Sequence, residues 1–188
     1  MKRAVHLVLG LVVILMVSGC TTTQGKSPQE KRQAVLNMRS QVLADLYRIH
    51  PDARAQIAAS PGYAVFSNAN VNLLIASVGG GYGVAENKRL KKTVFMKMGE
   101  AGLGLGLGVK DFRAVFIFKN QESLDAFIDK GWEFGGHVDA AAKAGDKGAA
   151  VGGEALLNGV TIYQLTESGL ALQATLKGTK YWKDNELN

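Results

Sequence analysis

Few residues in this chain carry reactive side chains, and they are scattered. There is one thiol, Cys20, and there are three histidines, His6, His50 and His137. A lone cysteine excludes an intrachain disulfide. The histidines lie far apart with no carboxylate-rich cluster at ligand spacing, so no metal site is expected. No serine stands in a G-x-S-x-G elbow. Glu122, Asp125 and Asp129 fall on one face of a predicted helix, where such spacing reads as a solvated surface. The glycine runs at 79–83 and 102–108 contain no G-x-G-x-x-G and lead into no GK[ST] before a helix. Catalysis needs polar groups that converge in a pocket. No such set is legible, so the expectation is a non-catalytic protein without a bound cofactor.

Cys20 is the exception, because of what precedes it. Lys2 and Arg3 form a basic start, residues 4–17 are an apolar run with His6 as the one ionisable member, and Ser18 and Gly19 are small. This is the anatomy of a signal peptide. The apolar run falls short of the roughly 20 residues that a spanning helix needs. Val17-Ser18-Gly19-Cys20 resembles the bacterial lipobox, with Val17 where leucine is more frequent. The expected outcome is cleavage before Cys20, a diacylglycerol on its sulfur and an acyl chain on its new amino group. Thr21, in place of aspartate, points to the outer membrane of a Gram-negative envelope, facing the periplasm. The expected organisation is a signal peptide over 1–19, a lipidated tether over 20–27 and one domain over 28–188.

Composition agrees with an ordinary folded domain: 47% hydrophobic and 20% charged residues. Loss of Lys2 and Arg3 with the signal takes two from the formal charge of +6 and leaves about +4. That surplus suits an anionic membrane surface. Nucleic acid is excluded as a partner by export. The unusual count is 23 glycines against 3 prolines.

The domain is expected to begin with a helix. Ser27 caps it, Pro28 suits its first position and Glu30 completes a capping box. Val35, Met38, Val42, Leu46 and Ile49 make its apolar stripe, and His50-Pro51 ends it. A short second helix fits 51–57. From Tyr63 the pattern becomes β: 63–67 and 71–78 are strand-like, 86–92 (ENKRLKK) is a charged turn, and 93–98 is the return strand of a hairpin. Residues 101–109 alternate aliphatic and glycine in strict period two, which marks a strand with one bare face against which something packs closely. Lys110-Asp111 reads as a turn before a strand at 113–118. Residues 121–130 form a short amphipathic helix burying Leu124, Phe127 and Ile128. A half-buried strand follows over 132–142, then a loop over 145–153. A hairpin joins 160–165 to 170–176, and a last strand starts near 178. The fold class is α+β: an N-terminal helix followed by a glycine-rich, mostly antiparallel curled sheet, a partial barrel, with one or two short helices.

Two basic groups are candidates for contact with lipid head groups. Lys88, Arg89, Lys91 and Lys92 occupy the charged turn, where each cation near an anionic surface is worth on the order of 1 kcal/mol. Lys31, Arg32, Arg39 and Arg48 flank the apolar stripe of the first helix. That arrangement fits a helix lying on a membrane, and it fits equally a helix packed on the sheet.

Taken in order, the helix, Gly62-Tyr63-Ala64-Val65-Phe66, the 79–84 glycine run, 102–109 before Lys110-Asp111-Phe112, the 132–142 strand, and 159–163 before Gly169-Leu170 resemble the SYLF domain over roughly residues 30–188. The leader and Cys20 place the resemblance in the bacterial lipoprotein branch of that family. It implies a lipid-binding module: eukaryotic members bind phosphoinositides and other acidic lipids, and some bind actin. No residue set is carried over from the family. The expectation is therefore a membrane-anchored lipoprotein that binds acidic phospholipid. The alternative is a structural lipoprotein whose sheet docks an envelope protein partner. A carrier of an apolar molecule ranks last, because glycine faces favour close packing over a cavity.

Overall fold

The computed structural model describes residues 27–134, 154–157, 159–166, 169–170 and 179–188. Cys20 with its leader and tether, His137, the 132–142 strand beyond Phe134, the 145–153 loop and the return strand beyond Leu170 lie outside the described residues. Helix α1 spans Pro28–Ile49 and α2 Ala53–Ala59. Strands β1 (Gly62–Asn87) and β2 (Lys92–Phe118) follow, then α3 (Gln121–Lys130). The remaining strands are β3 (Trp132–Phe134), β4 (Glu154–Leu157), β5 (Val160–Thr166), β6 (Gly169–Leu170) and β7 (Thr179–Lys183).

α1 starts as its sequence dictates. The Ser27 hydroxyl accepts from the Glu30 amide at 3.2 Å and the Glu30 carboxylate accepts from the Ser27 amide at 3.0 Å, a complete capping box with Pro28 in the first turn. α3 is capped the same way at one point, Asn120 Oδ1 accepting from the Ser123 amide at 2.8 Å.

The sheet is built on the β1–β2 hairpin. Its two strands pair antiparallel from Gly62↔Phe118 to Asn87↔Lys92, with one register shift between Leu74 and Ala76. The turn expected at Lys110-Asp111 does not exist. Asn70↔Lys110 and Ala69↔Asp111 are ladder pairs, so polar residues that read locally as a turn are held in strand by a partner across the sheet. The 71–78 run is likewise continuous with 63–67, in one strand.

Twenty-six residues in β1 would reach roughly 85 Å if straight. Instead the hairpin folds over on itself. A Cβ at Gly62 would strike the Glu86 carbonyl, one at Gly81 the Ser67 carbonyl, and one at Gly83 the Val65 carbonyl and the Phe66 ring. These contacts set the first and last thirds of β1 against each other in antiparallel sense, and only residues without a Cβ permit that approach. On its other edge β2 pairs with β5 at 113–118 and with β7 at 96–100. β4 and β6 add to β5, and β3 adds to β7. The seven strands make one antiparallel, curled sheet.

Both faces of this sheet are covered, which is why 64–66 and 114–118 are apolar without alternation. One face meets α3 in an aromatic cluster of Phe66, Phe116, Phe118, Phe127 and Tyr181, with the Phe66 and Tyr181 ring centroids 4.6 Å apart. The other face carries Val65, Val84, Phe95, Val115, Ile117 and Tyr163 under the α1 stripe. Val35 and Leu46 of that stripe are 0% exposed, so the first helix packs on the sheet.

Polar contacts fix α1 in place. Arg39 pairs with Glu86, whose second oxygen accepts from Thr93 Oγ1 at 2.8 Å. Removing Glu86 strands a half-buried guanidinium. We expect Glu86→Ala to lower stability by about 1–3 kcal/mol, and the Arg39→Ala/Glu86→Ala double variant to lose less than the sum of the singles, as read by urea unfolding.

Tyr63 lies beside this pair, and its hydroxyl pKa is raised above the ordinary 10.0, first by burial and secondarily by Glu86 and Tyr47, against a lowering by Arg39. The fold therefore favours the neutral phenol. Its contribution to stability is complete below pH 10 and is lost as pH climbs through the raised value. Circular dichroism against pH should show alkaline loss of structure above about 10, shallower in Tyr63→Phe.

Candidate functional site

The basic run between β1 and β2 is the turn that the sequence anticipated, tightened to residues 88–91. Three elements hold it. The Lys88 amide donates to the Pro61 carbonyl at 3.0 Å and the Lys91 amide to the Lys88 carbonyl at 3.3 Å. Asn87 Oδ1 accepts from the Leu90 amide at 3.1 Å, and Asn87 Nδ2 donates to Asp125 of α3 at 3.3 Å. Lys91 has φ 49°, a left-handed conformation that a residue with a Cβ adopts only under such constraint.

The four basic side chains of the turn and of Lys92, the first residue of β2, divide in two. Lys88 Nζ donates to the carbonyls of Ile57 at 2.6 Å and Ala58 at 2.8 Å. It closes the carboxyl end of α2, where a cation is favoured. Arg89 reaches Asp125 only at 3.9 Å and stays 65% exposed on its side chain. Lys91 and Lys92 are exposed, and neither has a salt-bridge partner among the described residues. The field of Lys92 reaches Asp129, whose carboxyl is held below its ordinary pKa chiefly by a hydrogen bond from Lys183, with Lys92 contributing. Arg89, Lys91 and Lys92 are therefore all solvent-exposed. Between Arg89 and Lys91 in sequence stands Leu90, 60% exposed. Reading 86–92 as a charged run missed Leu90; the signal available was one aliphatic residue among four cations.

The second basic group is not gathered into a site. Lys31 pairs with Glu186 at 2.5 Å, and Arg32 Nε donates to the Leu187 carbonyl at 2.7 Å. Arg39 is bound to Glu86. Arg48 is exposed, 3.6 Å from Asp45. The first three clamp α1 to the sheet and to the segment after β7.

Among the described residues no group of three or more histidine, cysteine, aspartate or glutamate side chains is placed to hold a metal, and no helix is long and apolar enough to cross a membrane. An open cleft of about 330 Å³ lies between α2 and the ends of β2 and β5, lined in part by Gln56, Ser60, Lys119 and Thr161.

A helix-covered, curled antiparallel sheet with this glycine-rich hairpin is what the order of motifs anticipated, and sequence comparison agrees. Residues 99–188 match the family described as Ysc84, Las17-binding protein actin regulator. Over those residues the chain carries the sequence of the SYLF family. It is similar to Beta cell expansion factor A of Aeromonas veronii, with 35% identity over 162 residues, covering 86% of this chain and 60% of that relative. The chain thus spans about 60% of the length of the curated relative it matches.

Proposed function

We propose that this protein is a lipoprotein, acylated at Cys20, whose SYLF domain binds acidic phospholipid at the cell envelope through the β1–β2 turn, without catalysis. The observation that carries the reading is the exposure of Arg89, Lys91 and Lys92 at a hairpin end held by the Pro61 carbonyl, by Asn87 braced on α3 and by the Lys88 side chain bonded to α2. A preorganised cationic tip loses little conformational entropy on meeting a surface. Three cations at about 1 kcal/mol each suffice for millimolar-range contact. With an acyl anchor already holding the protein at the bilayer, such contacts need only orient the domain and select head groups. Thr21 favours the outer membrane in a Gram-negative envelope. The test is vesicle co-sedimentation of the mature chain from residue 20 carrying Cys20→Ser. Capture by phosphatidylglycerol vesicles and not by phosphatidylcholine supports the reading; equal capture by both sinks it.

A second reading, docking of an envelope protein, is favoured by Trp182. It is 39% exposed on β7, its ring edge close to Gly99 and its strand position opposite Lys97. Exposed tryptophan is a frequent anchor of protein interfaces. A partner retained by the Cys20→Ser chain and lost by Trp182→Ala would favour it.

A further inference from the structure

We infer that Leu90 is a membrane-insertion residue, entering the boundary between head groups and acyl chains while Arg89, Lys91 and Lys92 meet phosphate; this rests on the lipid-binding reading above and deepens it. A single exposed leucine is ordinary on a protein surface. Three features set this one apart.

First, it stands between exposed Arg89 and exposed Lys91, so it is the one large apolar side chain offered within the exposed basic run. Second, its posture is fixed. The Leu90 amide is held by Asn87 Oδ1, Asn87 is held by Asp125, and the Asp125 carboxylate also accepts from Gln121 Nε2 at 2.7 Å. Asp125 is thus a positioning residue for the tip. Third, Lys91 keeps a left-handed backbone that glycine adopts freely. Lysine there retains both the bend that presents Leu90 and a charge beside it.

The chemistry is that of a short wedge: lysine and arginine stems lie along the interface with their charges at phosphate level, and the isobutyl group leaves water. Adsorption by charge alone would fade with salt. An inserted leucine adds a salt-insensitive share, and its loss should weaken binding about ten-fold.

The sequence has one cysteine, so Leu90→Cys in the Cys20→Ser mature chain gives a unique thiol for an environment-sensitive fluorophore. On vesicles of equimolar phosphatidylglycerol and phosphatidylcholine, the label at position 90 should shift to the blue and be quenched by lipids spin-labelled near the head of the acyl chain. A label at Arg48→Cys should do neither. Leu90→Ser should bind about ten-fold more weakly with its unfolding midpoint unchanged. If binding occurs and depends on Arg89, Lys91 and Lys92 while the label at 90 stays in water and Leu90→Ser binds as well as its parent, the insertion is refuted and the lipid-binding reading stands. If the parent does not bind these vesicles, both fall.

Discussion

Replacing Gly83 by alanine is expected to destabilise the domain by at least about 3 kcal/mol, although it adds only one methyl group. The glycine lies where the folded-over hairpin closes, and the new Cβ would overlap both the Val65 carbonyl oxygen and the Phe66 ring. Neither can retreat cheaply. Val65 is part of the β1–β2 ladder, and Phe66 is 0% exposed, packed edge-on against Phe116 at 5.7 Å and close to Tyr181. Gly99→Ala is the matched comparison. There the Cβ meets only the outer edge of the Trp182 ring, at 3.2 Å. The ring is part-exposed and can yield, and alanine is less costly than glycine in strand, so a change within about 1 kcal/mol of zero is expected. Urea unfolding of the two variants separates them. Equal midpoints would mean that the two ends of β1 do not close as described.

The second large effect is on binding. Arg89→Gln/Lys91→Gln/Lys92→Gln removes the three solvent-facing cations of the turn and should lower affinity for acidic vesicles by about 100-fold, at roughly 1 kcal/mol per charge. Its stability should be close to that of the parent, since exposed charges of this kind contribute little to folding. Lys88→Gln is expected to behave in the opposite way. It opens the end of α2, where Lys88 bonds two carbonyls, and so should cost stability before it costs binding. The α1 group should follow Lys88: Lys31, Arg32 and Arg39 are engaged with Glu186, the Leu187 carbonyl and Glu86. Sequence alone gives these two sets of basic residues the same weight. Their partners distinguish them.

What sequence could and could not show follows from where each signal resides. The limits of α3 and the start of α1 were legible because caps and periodicity are local. The α+β class and the curled, glycine-rich sheet were legible from strict alternation and from glycines too many for linkers. The length of β1 and β2 was not. Lys110 and Asp111 favour a turn by themselves, and only Asn70 and Ala69, forty residues upstream in the chain, hold them in a ladder. β4 was missed for the same reason: its strand character comes from β5. Close packing on glycine was anticipated for 101–109; the contacts that show the principle are at Gly62, Gly81 and Gly83. The alternative placements of α1 were equal by amphipathicity, because a stripe does not say what it faces. Leu90 was hidden by its neighbours, since a run of charge reads as solvated whatever single residue it encloses.

The proposed recognition of acidic lipid by the β1–β2 turn requires no acyl chain on Cys20. The most direct measurement is co-sedimentation of the non-acylated mature chain, carrying Cys20→Ser, with phosphatidylglycerol vesicles and with phosphatidylcholine vesicles, alongside the Arg89→Gln/Lys91→Gln/Lys92→Gln variant. The predicted result is capture of the parent by the acidic vesicles alone and loss of that capture in the variant. Capture that is indifferent to vesicle charge, or a folded variant that binds as well as its parent, would contradict it.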